Sequence, residues 1–204
     1  TPGLASAAEP GRGLIGDDGY PWRALGRLNQ RGQGFCTGAL VAPDVVLTAA
    51  HCLYNRRLGR WADADSIHFV AGYRGGEFAF HARARRYAAA PGFDPAIQGR
   101  RPEEATHDWA LITLDAAAGP EIGYLGVARL NRLVRLPSAP VFTLAGYGRD
   151  RPYALAGHAG CRLQGWEAGA ALVRHDCRAA HGTSGAPIFA AREGQYLIYA
   201  LHVG

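Results

Sequence analysis

An all-β protein built in two halves is the fold class that the sequence predicts. Three features predict it. Apolar runs are short and broken by Gly, Pro, Asp or Asn about every ten residues, as in barrels and sandwiches. Segments long enough for a helix are few. An Ala-Ala-Ala-Gly-Pro stretch within 116–122 reads as a connector between two groups of strands.

The first group of expected strands covers 35–41, 45–48, 67–73, 77–82 and 109–115, and the second covers 141–146, 160–164, 171–175, 186–190 and 196–203. Residues 50–55 have room for a single helical turn, and 130–136 is open between strand and coil. Thr1 to Pro10 is small, polar and contains Pro and Gly, so it reads as a flexible mature or propeptide end. The arm through about Tyr20 is expected to be irregular and to wrap the outside.

Composition narrows the function classes. The 204 residues suffice for one large domain or two compact halves, and 48% hydrophobic with 19% charged content is that of a globular protein with a real core. No apolar run approaches the roughly 20 residues that cross a bilayer, which sets aside a membrane span. The net charge is +5, and all 22 basic residues are Arg. They are scattered, without any DNA- or RNA-binding signature, so nucleic acid is not an expected partner. Four cysteines, Cys36, Cys52, Cys161 and Cys177, lack the close pairing of a zinc site. An even count in widely spaced pairs fits two disulfides and an oxidising compartment.

Three short strings carry chemistry. Thr48-Ala49-Ala50-His51-Cys52 follows the apolar run Val45-Val46-Leu47, placing His51 where a strand turns. A lone histidine there is more often structural than catalytic. His107-Asp108 heads the apolar strand Trp109-Ala110-Leu111-Ile112-Thr113-Leu114. Asp at such a place commonly serves the local backbone, yet a catalytic base needs a buried carboxylate to hold its ring. His181-Gly182-Thr183-Ser184-Gly185-Ala186-Pro187 flanks a serine with glycines. That lets the backbone bend sharply and lets a substrate approach closely. The amides of Gly182 and Ser184 are the natural donors to a developing oxyanion.

Taken together and in the order His, Asp, Ser, these strings resemble the trypsin/chymotrypsin-like serine peptidases around their three catalytic residues. Cys36-Thr37-Gly38-Ala39-Leu40-Val41 is similar to the family strand that carries a cysteine partner. The resemblance implies two six-stranded antiparallel β-barrels with the active site in the cleft between them. Residues 1–13 would be an arm, 14–118 the first barrel with His51 and Asp108, and 119–204 the second with Ser184. It implies a serine endopeptidase acting on protein or peptide substrates, with an acyl-enzyme intermediate and neither metal nor organic cofactor. His51 would be the base, Asp108 its orienting partner, Ser184 the nucleophile, and Gly182 with Ser184 the oxyanion hole. It also implies the pairs Cys36–Cys52 and Cys161–Cys177. Oligomeric state is not legible.

The sequence departs from the animal enzymes at Thr183, where they carry an Asp that pairs with a newly cut N-terminal amine. Thr cannot form that pair. The nearest string to their N-terminal start is Leu14-Ile15-Gly16-Asp17-Asp18. The second half is more similar to the bacterial V8-like glutamyl endopeptidases, on Gly146-Tyr147-Gly148, Arg151-Pro152-Tyr153 and Ala200-Leu201-His202. Members of the family usually continue some tens of residues past the strand that 196–204 resembles, so either a tail follows Gly204 or the second barrel closes differently.

Arg178, His181 and His202 fall where the resemblance implies a substrate pocket, so two readings stand. Three cationic groups would favour Glu or Asp before the scissile bond; Arg178 turned to solvent would leave a small neutral pocket. The location implied is secreted or periplasmic. A binding module that keeps the fold without activity is the alternative function. An α/β-hydrolase fails on chain order and on the absence of a G-x-S-x-G elbow.

Overall fold

The structure, a computed structural model, describes residues 11–16, 19–31, 34–97, 102–130, 141–167 and 172–204. The expected flexible end at 1–10, the Asp17-Asp18 pair and the ambiguous stretch beyond Leu130 lie outside them.

Strands Leu25–Gln30, Phe35–Ala42, Val45–Thr48, Ala110–Leu114, Phe80–Ala89 and Ile67–Ala71 follow one another, in that order, around a closed antiparallel barrel. Alternation drives it. Ala110, Ile112 and Leu114 are buried while Leu111 is exposed, the period-2 pattern of a half-buried strand. In Phe80–Ala89 the inward residues are Ala82 and Ala84, between the exposed His81, Arg83 and Arg85. The expected strand at 77–82 therefore starts later and runs further than its apolar residues suggest. Small inner residues are what Phe69, paired opposite Ala82, leaves room for. Leu25–Gln30 was not expected. Its Gly26 sits against the Phe69 ring, where a Cβ would collide.

Among the described residues the second half is a six-stranded sheet in the order Gly13–Leu14, Arg151–Cys161, Phe142–Gly148, Pro187–Arg192, Gln195–Leu201 and Gly126–Val127, with Leu163–Glu167 and Leu172–His175 as a separate two-stranded sheet. The expected strand at 160–164 straddles the break at Arg162 between two real strands. The eleven-residue Arg151–Cys161 was hidden by Pro152, two glycines and three alanines. Gly13–Leu14 pairs with Ala156 and Gly157, so the arm is stitched onto the second half, and a boundary after residue 13 cuts a strand.

The larger core fills the barrel with Leu25, Leu40, Val46, Phe69 and Ile112 and reaches across to Tyr147, Leu155 and Phe189. A smaller one gathers Phe142, Leu144, Leu163 and Ile188 around Cys161 and Cys177. One core thus spans both halves, and burying it joins them along a shared seam. Among the described residues no helix is long and apolar enough to cross a membrane.

Candidate active site

His51 lies in the single 3-10 turn Ala50–Leu53 just after Val45–Thr48. Thr48 pairs with Ala110, so the end of one strand meets the start of the next, and Asp108 reaches the His51 ring. Asp108 is 2% exposed. Its Oδ2 lies 2.6 Å from His51 Nδ1, and its Oδ1 accepts the His51 backbone N–H at 2.8 Å. A carboxylate only accepts, so the proton sits on Nδ1 and Nε2 is left as the acceptor. Two contacts from one buried group fix both the ring and the turn that carries it.

Ser184 sits between Gly182, with φ +96°, and Gly185, with φ +80°. Both values lie in the left-handed region that favours glycine. At Gly185 a Cβ would collide with the Thr37 carbonyl and the Thr48 hydroxyl, so here the turn also needs the missing side chain. The Thr183 N–H donates to Ala180 O at 3.0 Å, Gly185 N–H to His202 O at 2.8 Å and Ala186 N–H to Thr183 O at 2.9 Å. The amides of Gly182 and Ser184 have no acceptor among the described residues.

The two halves meet at Thr37. Its N–H donates to the Ser184 carbonyl at 2.9 Å, and its Oγ1 accepts the Tyr147 N–H at 2.8 Å. Its carbonyl accepts the Thr48 hydroxyl, again at 2.8 Å. Thr37 and Thr48 are fully buried with these bonds made, which is what makes buried hydroxyls tolerable.

His51, Ser184 and Gly182 line one cavity of about 370 Å³, whose further walls include Phe35, Arg56 and Arg149. A second hollow of about 300 Å³ opens on the other side of Asp108, lined by Trp109, Trp166, Leu172, Tyr199 and Val203. Cys36–Cys52 and Cys161–Cys177 are disulfides. The first forms part of the cavity wall beside His51; the second braces the segment leading into the serine loop.

The remaining expected residues separate. His181 is exposed on the cavity rim, and its carbonyl accepts the Arg149 N–H at 2.6 Å. His202 is buried; its N–H donates to Ala186 O at 2.9 Å, so it supports the serine loop directly. Arg178 does not join them. Its side chain is exposed and lines neither hollow, while its backbone N–H donates to His158 Nδ1 at 3.0 Å.

Sequence reasoning missed His175, whose Nε2 lies 3.1 Å from His202 Nδ1. Burial first, then the proximity of His175 and His51, pulls the His202 pKa down to about 4, so this ring is neutral at pH 7. Burial likewise lowers the pKa of His175. Thr37, Arg56 and Arg149 were also missed, since only the folded register brings them to the site. Two clusters gather three candidate ligand atoms each, Cys36–His51–Cys52 and Cys161–Asp176–Cys177. Both commit their sulfurs to a disulfide, so neither offers a thiolate to a metal.

Residues 16–191 match the Trypsin family. The chain belongs to the trypsin family. A stretch of 134 residues of this trypsin-family chain is 28% identical to a glutamyl endopeptidase of Bacillus licheniformis, covering 65% of the chain. The same stretch spans only 38% of that relative's length. A Glu endopeptidase bound to MPD superposes with a TM-score of 0.72 at 18% identity, covering 96% of this chain and 86% of the other. The protease Anisep of Arthrobacter nicotinovorans gives 0.64 at 19% identity, over 90% and 84% of the two chains. A thermostable serine protease of an extremophilic microorganism gives 0.68 at 20%, over 90% and 85%. At such identities these likenesses establish the fold: a closed barrel and a second sheet with a cleft between.

Proposed function

We propose that this chain is a secreted serine endopeptidase that cleaves peptide bonds through His51, Asp108 and Ser184. The observation that carries the reading is the two-point grip of buried Asp108 on His51, at the edge of a cavity that Ser184 shares. In this reading the barrel up to about residue 118 and the sheet from 119 on are the two halves that bring the three residues together, with Gly13–Leu14 of the arm paired onto the second.

Each step uses a group already placed. Ser184 Oγ attacks the substrate carbonyl as its proton moves to His51 Nε2, and Asp108 stabilises the resulting imidazolium. The tetrahedral oxyanion takes the two uncommitted amides, Gly182 and Ser184, where one donor is worth roughly 3 kcal/mol in the transition state. The C–N bond breaks as the His51 proton passes to the leaving amine. Water then repeats the sequence on the acyl-enzyme and frees Ser184.

For the residue before the scissile bond the reading favours Glu or Asp, although Arg178 is turned away and His202 is neutral at pH 7. The contact left is a neutral one: with its Nδ1 accepting from His175 Nε2, the His202 ring would donate its other N–H to the carboxylate. The curated relative is named for glutamyl cleavage. Two disulfides suit an extracellular or periplasmic setting.

Ser184→Ala and His51→Ala should each lower peptide turnover by about 10⁴-fold or more, with the circular dichroism of the folded protein retained. Matched peptides with Glu, Ala, Leu or Arg before the scissile bond test the pocket, and fastest cleavage after Ala would replace the acidic assignment by the small neutral one. A folded protein that hydrolyses none of them and resists a fluorophosphonate probe would instead be the inactive binding module.

A further inference from the structure

The cavity that His51 and Ser184 share carries a charge pattern that the peptidase reading leaves unused. Arg56 enters it from the first half, just beyond the turn that bears His51. Arg149 enters from the second half, at the turn after Phe142–Gly148, and His181 lies beside it. Among the described residues no Asp or Glu lines this cavity. Arg149 has no carboxylate partner among the described residues, whereas Arg12, Arg60, Arg83 and Arg174 each have one. Phe35 and the Cys36–Cys52 disulfide add apolar lining to the same cavity.

Which half of a substrate this cavity takes follows from the proposed function, on which the inference rests. The acyl half contacts His202, and the chain continues from there to Val203 on the wall of the other hollow, with Trp109 and Leu172. The departing amine takes its proton from His51 Nε2, and Cys52 Sγ lies 3.7 Å from that nitrogen, so the amine leaves on the Cys52 side of the ring. The cavity under Cys36–Cys52 is therefore the leaving-group side.

We propose that Arg149 and Arg56 make this chain selective for substrates bearing carboxylates in the first residues after the scissile bond. Both arginines line this one cavity, Arg56 from the first half of the chain and Arg149 from the second. A carboxylate there gains Coulomb attraction to both, while a Lys or Arg meets like charge from both. Both arginines are exposed, so each contributes the modest factor of a solvent-facing ion pair, together roughly fivefold.

Acyl transfer reads this side separately from the other. An N-acetylated glutamyl or alanyl p-nitrophenyl ester acylates Ser184, releasing p-nitrophenol. Added Ala-Glu-amide, Ala-Gln-amide or Ala-Lys-amide then competes with water for the acyl carbon. The new C–N bond replaces the C–O bond to Ser184, and the amine proton returns through His51 to Oγ. The ratio of aminolysis by the Glu to that by the isosteric Gln compound isolates charge. It should be roughly fivefold at low salt and approach one at about 1 M salt.

R56Q/R149Q should bring the Glu to Gln ratio to about one, and R149E should shift preference toward the Lys compound. Arg85→Glu, on the outside of the barrel, changes net charge equally and should leave the ratio intact. A ratio near one in the unaltered protein, or one that survives R56Q/R149Q, overturns the proposal. Should those variants fail to fold, loss of the ratio with salt in the unaltered protein decides it. If no p-nitrophenol is released in a Ser184-dependent way, the peptidase reading itself falls, which is a separate outcome.

Discussion

Thr183 is fully buried beneath the serine loop; its Oγ1 accepts the Ala180 N–H at 3.2 Å while its own N–H returns to the Ala180 carbonyl at 3.0 Å. The loop is thus closed on itself by neutral bonds, where the animal enzymes are expected to use an ion pair with a cut terminus. Thr183→Val keeps the shape but leaves the Ala180 N–H without its acceptor, which should cost about 1–2 kcal/mol and lower the urea midpoint. An unchanged midpoint would mean that this bond contributes nothing to the loop. The residues legible in the sequence share one property: each stands in a string whose neighbours are needed for the same task. Gly182 and Gly185 must flank Ser184 because the turn demands positive φ. His175 and Arg149 carry no such string. They reach the site only through the Leu163–His175 register and the turn after Gly148, so no local pattern announces them.

At the scale of elements, the Cys36–Cys52 bridge closes 16 residues that take in two strands and the turn with His51. A loop of that length is worth about 3 kcal/mol in the chain-entropy picture. Replacing both cysteines by Ser should lower stability by roughly that amount in denaturant unfolding. It should also slow acylation, since the His51 turn would then rest on Asp108 and the Thr48–Ala110 pairing alone. Equal stability of the two proteins would show that the barrel, rather than the bridge, fixes this segment. Strands with bulky alternation, such as Ala110–Leu114, were legible. Phe80–Ala89 and Arg151–Cys161 were not: the first buries only Ala82 and Ala84, the second buries Leu155, Ala156 and Gly157 in succession, and neither shows an alternation of bulky residues to read.

For the whole molecule, the two buried imidazoles couple stability to acidity. His202 has its pKa lowered from the ordinary 6.5 to about 4, and His175 is lowered as well. In the unfolded chain both take up a proton near pH 6.5, so between that value and about 4 the unfolded state binds more protons. The contribution of these two groups is therefore fully present above pH 6.5 and is lost as the pH drops toward 4. For His202 the full loss is roughly 3 kcal/mol. Urea midpoints measured between about pH 7 and 4.5 should decline, and His202→Gln should flatten part of that slope. A slope unaltered in the variant would assign the acid sensitivity to carboxylates elsewhere.

The bond from the Thr37 N–H to the Ser184 carbonyl crosses from one half of the chain to the other. So does the fit of Gly185 against Thr37 and Thr48. The Ser184 backbone is therefore shaped by a strand that precedes it by about 150 residues, roughly the length of a typical domain. The Ser184 loop is in this sense a joint property of the two halves: the barrel strands that carry Thr37 and Thr48 belong to its mould as much as the glycines beside it, so a change inside the barrel can alter the loop without touching its sequence.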